Sequence, residues 1–154
     1  VVFVPALAGL GAPHWKADAT GIITGLTLGS TRAHVARAAL EAMACQCHDL
    51  AEAFRADGAG WNSICIDGGM SANDWMAQDL ADVLGVPVAR PPDVATPALG
   101  AAMLASVGAG IFADLAAAQA MRPATTRFTP AMAPDRRSER LAGWRAALGT
   151  VLGR

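Results

Sequence analysis

Ser63-Ile64-Cys65-Ile66-Asp67-Gly68-Gly69-Met70-Ser71-Ala72-Asn73 is the stretch on which the fold turns. A short β-branched run, Ile64 to Ile66, meets Asp67-Gly68-Gly69, and the residues after the glycines stop alternating. Met76, Leu80, Val83 and Leu84 recur at helical spacing with Trp75 beside them. Strand, tight glycine turn and helix start are therefore expected, and the hairpin that Asp-Gly or Gly-Gly would otherwise signal is disfavoured.

A junction of this kind suits an anion or an adenosine. Two residues without Cβ atoms let the turn take positive φ and let a ligand reach the main chain. The first N–H groups of the following helix have no intrahelical partner and carry the positive end of its dipole. Asn73 lies about one helical turn past Gly69, where its amide can point back at a bound nucleotide. A Gly-Gly pair fits a purely structural turn equally well, so the turn by itself leaves both readings open.

On its C-terminal side, Ser71 and Asp74 have the spacing of a capping box, and a helix is expected from Ala72 to Leu84, stopped by Gly85. A short strand, Val86 to Ala89, then leads through Arg90 and Pro91-Pro92 to Thr96-Pro97, a helix start with a capping hydroxyl and a proline at the first helical position. The helix that follows is built of small residues, with Gly100, Ala101 and Ala102 allowing close approach to a neighbouring backbone. A further short helix is expected over Ala113 to Ala120. Residues 122–134 form a surface tail leading to an arginine-rich terminal helix, in which Leu141, Trp144 and Leu148 face inward and Arg136, Arg137 and Arg140 make a solvated basic patch.

On its N-terminal side, Trp61 to Ile66 is the strand that feeds the turn. Before it runs a long helix capped by Ser30 or Thr31, with Val35, Ala39, Met43, Leu50 and Phe54 as its apolar stripe and Glu41, Gln46 and Asp49 on a solvated or inter-element face. Gly21 to Leu26 and Val1 to Val4 are strands, and the latter opens with no cap, turn or initiator methionine, which suggests a piece of a longer polypeptide. Between them the Ala8 to Trp15 loop fails both phosphate-loop patterns. No Gly-Lys-Ser/Thr closes a Walker motif, and His14 stands where a third dinucleotide-loop glycine belongs. Trp15 is expected to be a packing anchor. Strands alternating with helices argue for an α/β layer architecture, taken as one domain over 1–154.

The chain has 154 residues, enough for one domain with a core. With 53% hydrophobic and 16% charged residues and a net charge of −1, composition points neither to disorder nor to nucleic-acid binding. Lys16 is the only lysine. Cys45, Cys47 and Cys65 have no disulfide-scaffold spacing and fit a reducing, cytoplasmic setting. Cys45 and Cys47 point apart on their helix, with His48 nearby, and read as scaffold before metal ligands. The uncharged run from Val94 to Ala113 is thin in Leu, Ile and Phe, and is expected to be a buried helix of a soluble protein and not a membrane span.

Several of these motifs coincide in one family. Gly21 to Leu26 followed by His34-Val35-Ala36-Arg37-Ala38-Ala39-Leu40-Glu41 resembles the C-terminal signature of the FGGY carbohydrate kinases. Gly9 to Trp15, Asp67 to Trp75 and Ala98-Leu99-Gly100-Ala101-Ala102 are similar to its glycerol-phosphorylating members, with Pro97 where threonine is usual and Leu141 where an aromatic is common. The resemblance covers nearly the whole chain. It implies an actin-like ATPase fold (ribonuclease H-like), of which this chain is the later, nucleotide-binding part of the C-terminal domain.

The resemblance further implies ATP or ADP as ligand and Mg²⁺ accompanying it, ligated mainly by residues outside this chain. The parent enzyme would phosphorylate glycerol or a related polyol, and a xylulose-type kinase is the alternative. Gly69 and Asn73 match the family's nucleotide contacts, Gly68 and Met70 shape the same wall, and Asp67 braces the turn. No catalytic residue is assigned, and the isolated chain is expected to be inactive. A non-catalytic nucleotide-binding or assembly module, possible as a homo-oligomer, is the alternative from another class.

Overall fold

The computed structural model describes residues 1–92 and 96–153. In chain order it places β1 (Val2–Val4), β2 (Ile22–Thr24), α1 (Arg32–Ala56), β3 (Ile64–Cys65), α2 (Asp74–Leu84), β4 (Val88–Arg90), α3 (Thr96–Gly108), α4 (Leu115–Ala118), β5 (Thr126–Phe128) and α5 (Pro134–Leu152). Single 3-10 turns cover Gly69–Ala72 and Gln119–Met121.

The expected α/β layering is present, with its strands in two sheets. β1 and β2 pair antiparallel, Phe3 opposite Ile23. β3 and β4 pair parallel, Ile64 opposite Val88, and β5 adds antiparallel to β4 with Ala89 opposite Arg127. The parallel pair is joined by α2, as parallel strands require a crossover.

Two apolar cores flank α1. Val4, Leu10, Cys45, Trp144, Leu148 and Val151 form one, between the β1–β2 pair, α1 and α5. Ala44, Leu80, Val83, Leu84, Val88 and Leu141 form the other, between α1, α2, β4 and α5. α1 enters both through small residues, because a helix packed on two sides is approached most closely at Ala and Cys. The stripe expected from its larger residues is thus corrected. Ala38, Ala42, Cys45 and His48 are buried, Val35, Ala39, Met43 and Leu50 only half so, and Phe54 is exposed against Trp61.

Other expectations shift in register or fail. Thr31 caps α1, and His34 Nδ1 accepts from its N–H at 3.1 Å. The expected Trp61–Ile66 strand is reduced to Ile64–Cys65, and β4 begins two residues later than expected, at Val88. The exposed 122–134 segment also carries β5, held by its pairing with β4. Trp15 is no anchor: it is 79% exposed at φ +48°. In the expected buried helix, Val94 lies outside the described residues, but α3 itself has only Ser106 buried, and Gly100 meets nothing within 4 Å where a Cβ would stand. That face opens on a cleft shared with Leu115, Gln119 and Arg122.

The terminal arginines are not a solvated patch throughout. Arg140 makes a two-pronged bond to buried Asp79 at 2.5 and 2.7 Å, and Glu41 Oε1 lies 3.8 Å from its Nη2. Burial pushes the Asp79 carboxyl above the usual range, while the Arg140 fork pulls it back. Arg137 donates to the carbonyls of Val83 and Leu84, the last ones of α2. There Gly85 caps the helix at φ +71°, and a Cβ would stand 3.0 Å from the Arg137 guanidinium. No helix among the described residues is long and apolar enough to cross a membrane.

Candidate nucleotide-facing site

β3 and β4 run parallel and end together, with the Ile66 N–H donating to the Ala89 carbonyl at 2.9 Å. The segments leaving both strands therefore open on one edge of the sheet, the edge where open α/β sheets take their ligands. The turn after β3 carries all four residues singled out above. Gly68 has φ +85°, a backbone that non-glycine residues rarely adopt. A Cβ placed on Gly68 or on Gly69 would meet no heavy atom of the described residues within 4 Å, and both residues are exposed, as is Met70. The outer face of the turn is thus bare main chain open to solvent.

The turn is anchored from beneath. Ser71, only 1% exposed, donates its Oγ and its N–H to the Gly68 carbonyl at 2.7 and 3.0 Å. The capping box expected of Ser71 and Asp74 is absent, because the Ser71 hydroxyl is turned inward. Asn73 is the N-cap of α2, and its Oδ1 accepts from Met76 N–H at 3.2 Å. The chain makes a 3-10 turn before α2 begins, so the expected helix from Ala72 starts at Asp74. With Oδ1 committed to the cap, what Asn73 can offer a ligand is its amide NH₂, as a donor.

Arg90, at the end of β4, was not singled out in the sequence. Its Nη1 donates to the Ser71 carbonyl and its Nη2 to Asp74 Oδ1, both at 2.7 Å, and its guanidinium lies over the Phe128 ring, 5.2 Å from the centroid. Nothing local in the sequence marks this role, since it depends on the β4–β5 register. Beside the turn is a cleft of about 240 Å³, lined by Cys65, Asp67, Pro91, Thr96, Leu99 and Arg122 among others.

Other candidates lie elsewhere. Lys16 donates to the Leu152 carbonyl at the end of α5, at 2.9 Å. His14 Nε2 is 3.2 Å from Asp49 Oδ2, which also accepts from Trp144 Nε1 at 2.8 Å. These contacts make Asp49 an inter-element brace. Burial pushes the Cys45 thiol up to about 12 and raises Cys47 as well, which keeps both protonated and unreactive. Among the described residues no group of three His, Cys, Asp or Glu side chains could hold a metal.

Comparison with known proteins places this architecture. The chain belongs to the FGGY family of carbohydrate kinases, its residues 1–109 matching that family's C-terminal domain. Among curated relatives it is similar to the glycerol kinase of Rhodospirillum centenum, 52% identical over 148 residues, and to that of Myxococcus xanthus, 50% identical over 149. Each alignment takes in 96% of this chain and 30% of the relative, so the chain spans about a third of the length of the proteins it matches.

Among solved structures it resembles Plasmodium falciparum glycerol kinase with ADP, at TM-score 0.85 and 29% identity over 98% of this chain and 30% of that one. Lactobacillus acidophilus gluconate kinase follows at TM-score 0.76 and 26% identity, over 99% of this chain and 32% of that one. The expected family and fold class are borne out by both kinds of comparison.

Proposed function

We propose that this chain forms the adenosine-facing wall of an ATP-dependent kinase that transfers the γ-phosphoryl group to glycerol, giving sn-glycerol 3-phosphate. The observation that carries the nucleotide reading is the bare Gly68-Gly69 main chain beside the capping Asn73, at the carboxyl edge of a parallel strand pair. It occurs in a chain that resembles a glycerol kinase whose structure was solved with ADP. Gly68 shapes the turn, Gly69 presents its backbone, Met70 flanks the ligand, and the Asn73 amide donates to it.

Glycerol is favoured over xylulose or gluconate by sequence. Curated glycerol kinases match at 44–52% identity, and among the solved structures the glycerol kinase stands at TM-score 0.85 and 29% identity against 0.67–0.77 and 26–28% for the gluconate and xylulose kinases. Phosphoryl transfer rests on positioning and charge neutralisation, and Mg²⁺ bound with the nucleotide supplies the latter. The described residues offer no metal cluster, and no residue of this chain is assigned to the metal or to the catalytic base. On this reading the chain alone is inactive, and the whole kinase works in the cytoplasm. The intact protein, assayed with ATP against glycerol, xylulose and gluconate, should phosphorylate glycerol best. Phosphorylation of xylulose or gluconate without glycerol would overturn the substrate assignment.

A further inference from the structure

We propose that Arg90 is a positioning residue for nucleotide binding, holding the Gly69–Ala72 turn at the height and angle at which its backbone and the Asn73 amide meet the ligand. The inference rests on the nucleotide reading above.

Among the described residues no atom lies within 4 Å of a Cβ built on Gly68 or Gly69, and the contacts that hold the turn come from below. One set is internal: the Ser71 hydroxyl and N–H on the Gly68 carbonyl, and the Asn73 N–H on the Met70 carbonyl at 3.2 Å. These fix the curl of the turn but not its position over the sheet. The bond from Arg90 Nη1 to the Ser71 carbonyl ties the turn to β4, and the bond from Nη2 to Asp74 ties the first residue of α2 to the same group.

Arginine suits this task because its guanidinium is planar and presents its donors in a fixed fork. The Arg90 side chain is 15% exposed, and the Phe128 ring lies against its guanidinium. Phe128 belongs to β5, whose register places Arg90 opposite Thr126. Asp74 is 78% exposed, so its ion pair adds little stability by itself. What the arrangement supplies is orientation, and a ligand that meets a fixed turn does not bear the entropy of ordering it.

The test is the ADP affinity of the protein at its full natural length, with thermal unfolding measured alongside. Arg90→Met keeps the stem and removes the fork, and should weaken ADP binding about tenfold, the low end of what outer-shell partners contribute at metal sites. Arg90→Lys keeps the charge without the fork and should fall between the two. If Arg90→Met does not fold, Phe128→Leu, which leaves the hydrogen-bonding groups in place, should weaken binding in the same direction.

A merely structural Arg90 would act independently of the ligand contact, so the cycle with Asn73→Ser is decisive. Positioning predicts that Arg90→Met costs less affinity in the Asn73→Ser background than in wild type. Full additivity, or wild-type affinity in Arg90→Met with only a lowered melting temperature, overturns the role of Arg90 alone. Absence of ADP binding in the wild type, or ADP binding indifferent to Asn73→Ser and Gly69→Val, overturns the nucleotide site itself and this inference with it.

Discussion

Gly68 and Gly69 are adjacent and equally exposed, yet the structure asks different things of them. Gly68 sits at φ +85°, where a side chain is strained, so its glycine is required by the chain. Gly69 is not at positive φ and has open space where a Cβ would stand, so nothing among the described residues requires glycine there. On the proposed nucleotide reading, the approach of a ligand to the main chain is what would favour glycine there. Asn73 divides its side chain in the same way, with its oxygen for the helix and its NH₂ free to donate outward. His48 shows how burial sets a single group. Desolvation in α1 lowers its pKa below the ordinary 6.5, against the pull of Glu52, whose Oε1 lies 3.7 Å away, and with Arg137 pressing the same way as burial. Below that value the unfolded chain takes up a proton that the folded imidazole resists. The stabilisation is complete above the unfolded pKa and is lost as pH falls through the folded one. Between about pH 7.5 and about pH 5.5 wild type should therefore lose more stability in urea than His48→Gln, and equal losses would mean that His48 is solvated.

At the scale of elements, α2 is held at both ends and in the middle. Asn73 caps its start, Arg137 and Gly85 finish it, and Asp79 on its buried face is gripped by Arg140 of α5. Removing one partner of a buried pair leaves an uncompensated charge, so Arg140→Ala should cost about 3 kcal/mol in chemical denaturation. Replacing both, as Asp79→Leu with Arg140→Met, should recover most of that loss, and a cost below about 1 kcal/mol for Arg140→Ala would show the pair to be solvent-screened.

How much of this was legible in the sequence follows from range. The strand, glycine turn and helix at Ile64 to Leu84 are local, and the sequence shows them. The cap at Asn73 was legible too, since Asn directly before an acidic first turn is a capping signal, but the Ser71-Asp74 spacing competed with it. Arg90, Arg140 and β5 were not, because each depends on a partner distant in sequence: Ser71, Asp79 and β4. Thr125 to Thr129, rich in threonine with Phe128 and bounded by Pro123 and Pro130, does fit a short strand, but only its pairing with β4 sets it apart from a surface tail. α1 misled for the opposite reason, as its large residues mark one stripe while close packing on two sides selects the small ones.

Across the whole molecule, exposed large apolar side chains among the described residues gather mainly in two places. Leu7, Trp15, Leu26 and Leu28 are exposed around the β1–β2 pair and its loops, and Leu104, Ile111 and Leu115 around α3 and α4. An apolar surface of this extent favours association, so the isolated 154-residue chain should self-associate with rising concentration in sedimentation velocity. A monomer at all concentrations would contradict this. The whole-molecule comparison also sharpens the reading of the turn. By residues alone it fits either a structural junction or a ligand site, and membership of a kinase family, with a structural relative solved with ADP, favours the second.

The central claim is tested most directly by calorimetric titration of ADP into the protein at its full natural length, as wild type, Gly69→Val and Asn73→Asp. Neither substitution meets an obstacle in the fold: Gly69→Val enters open space, and Asn73→Asp keeps the capping oxygen while removing the NH₂ donors. The account predicts saturable ADP binding by the wild type, and affinity lowered at least about tenfold in each variant, the scale of a lost contact to a bound ligand. ADP affinity unchanged in both variants, with melting temperatures also unchanged, would contradict it.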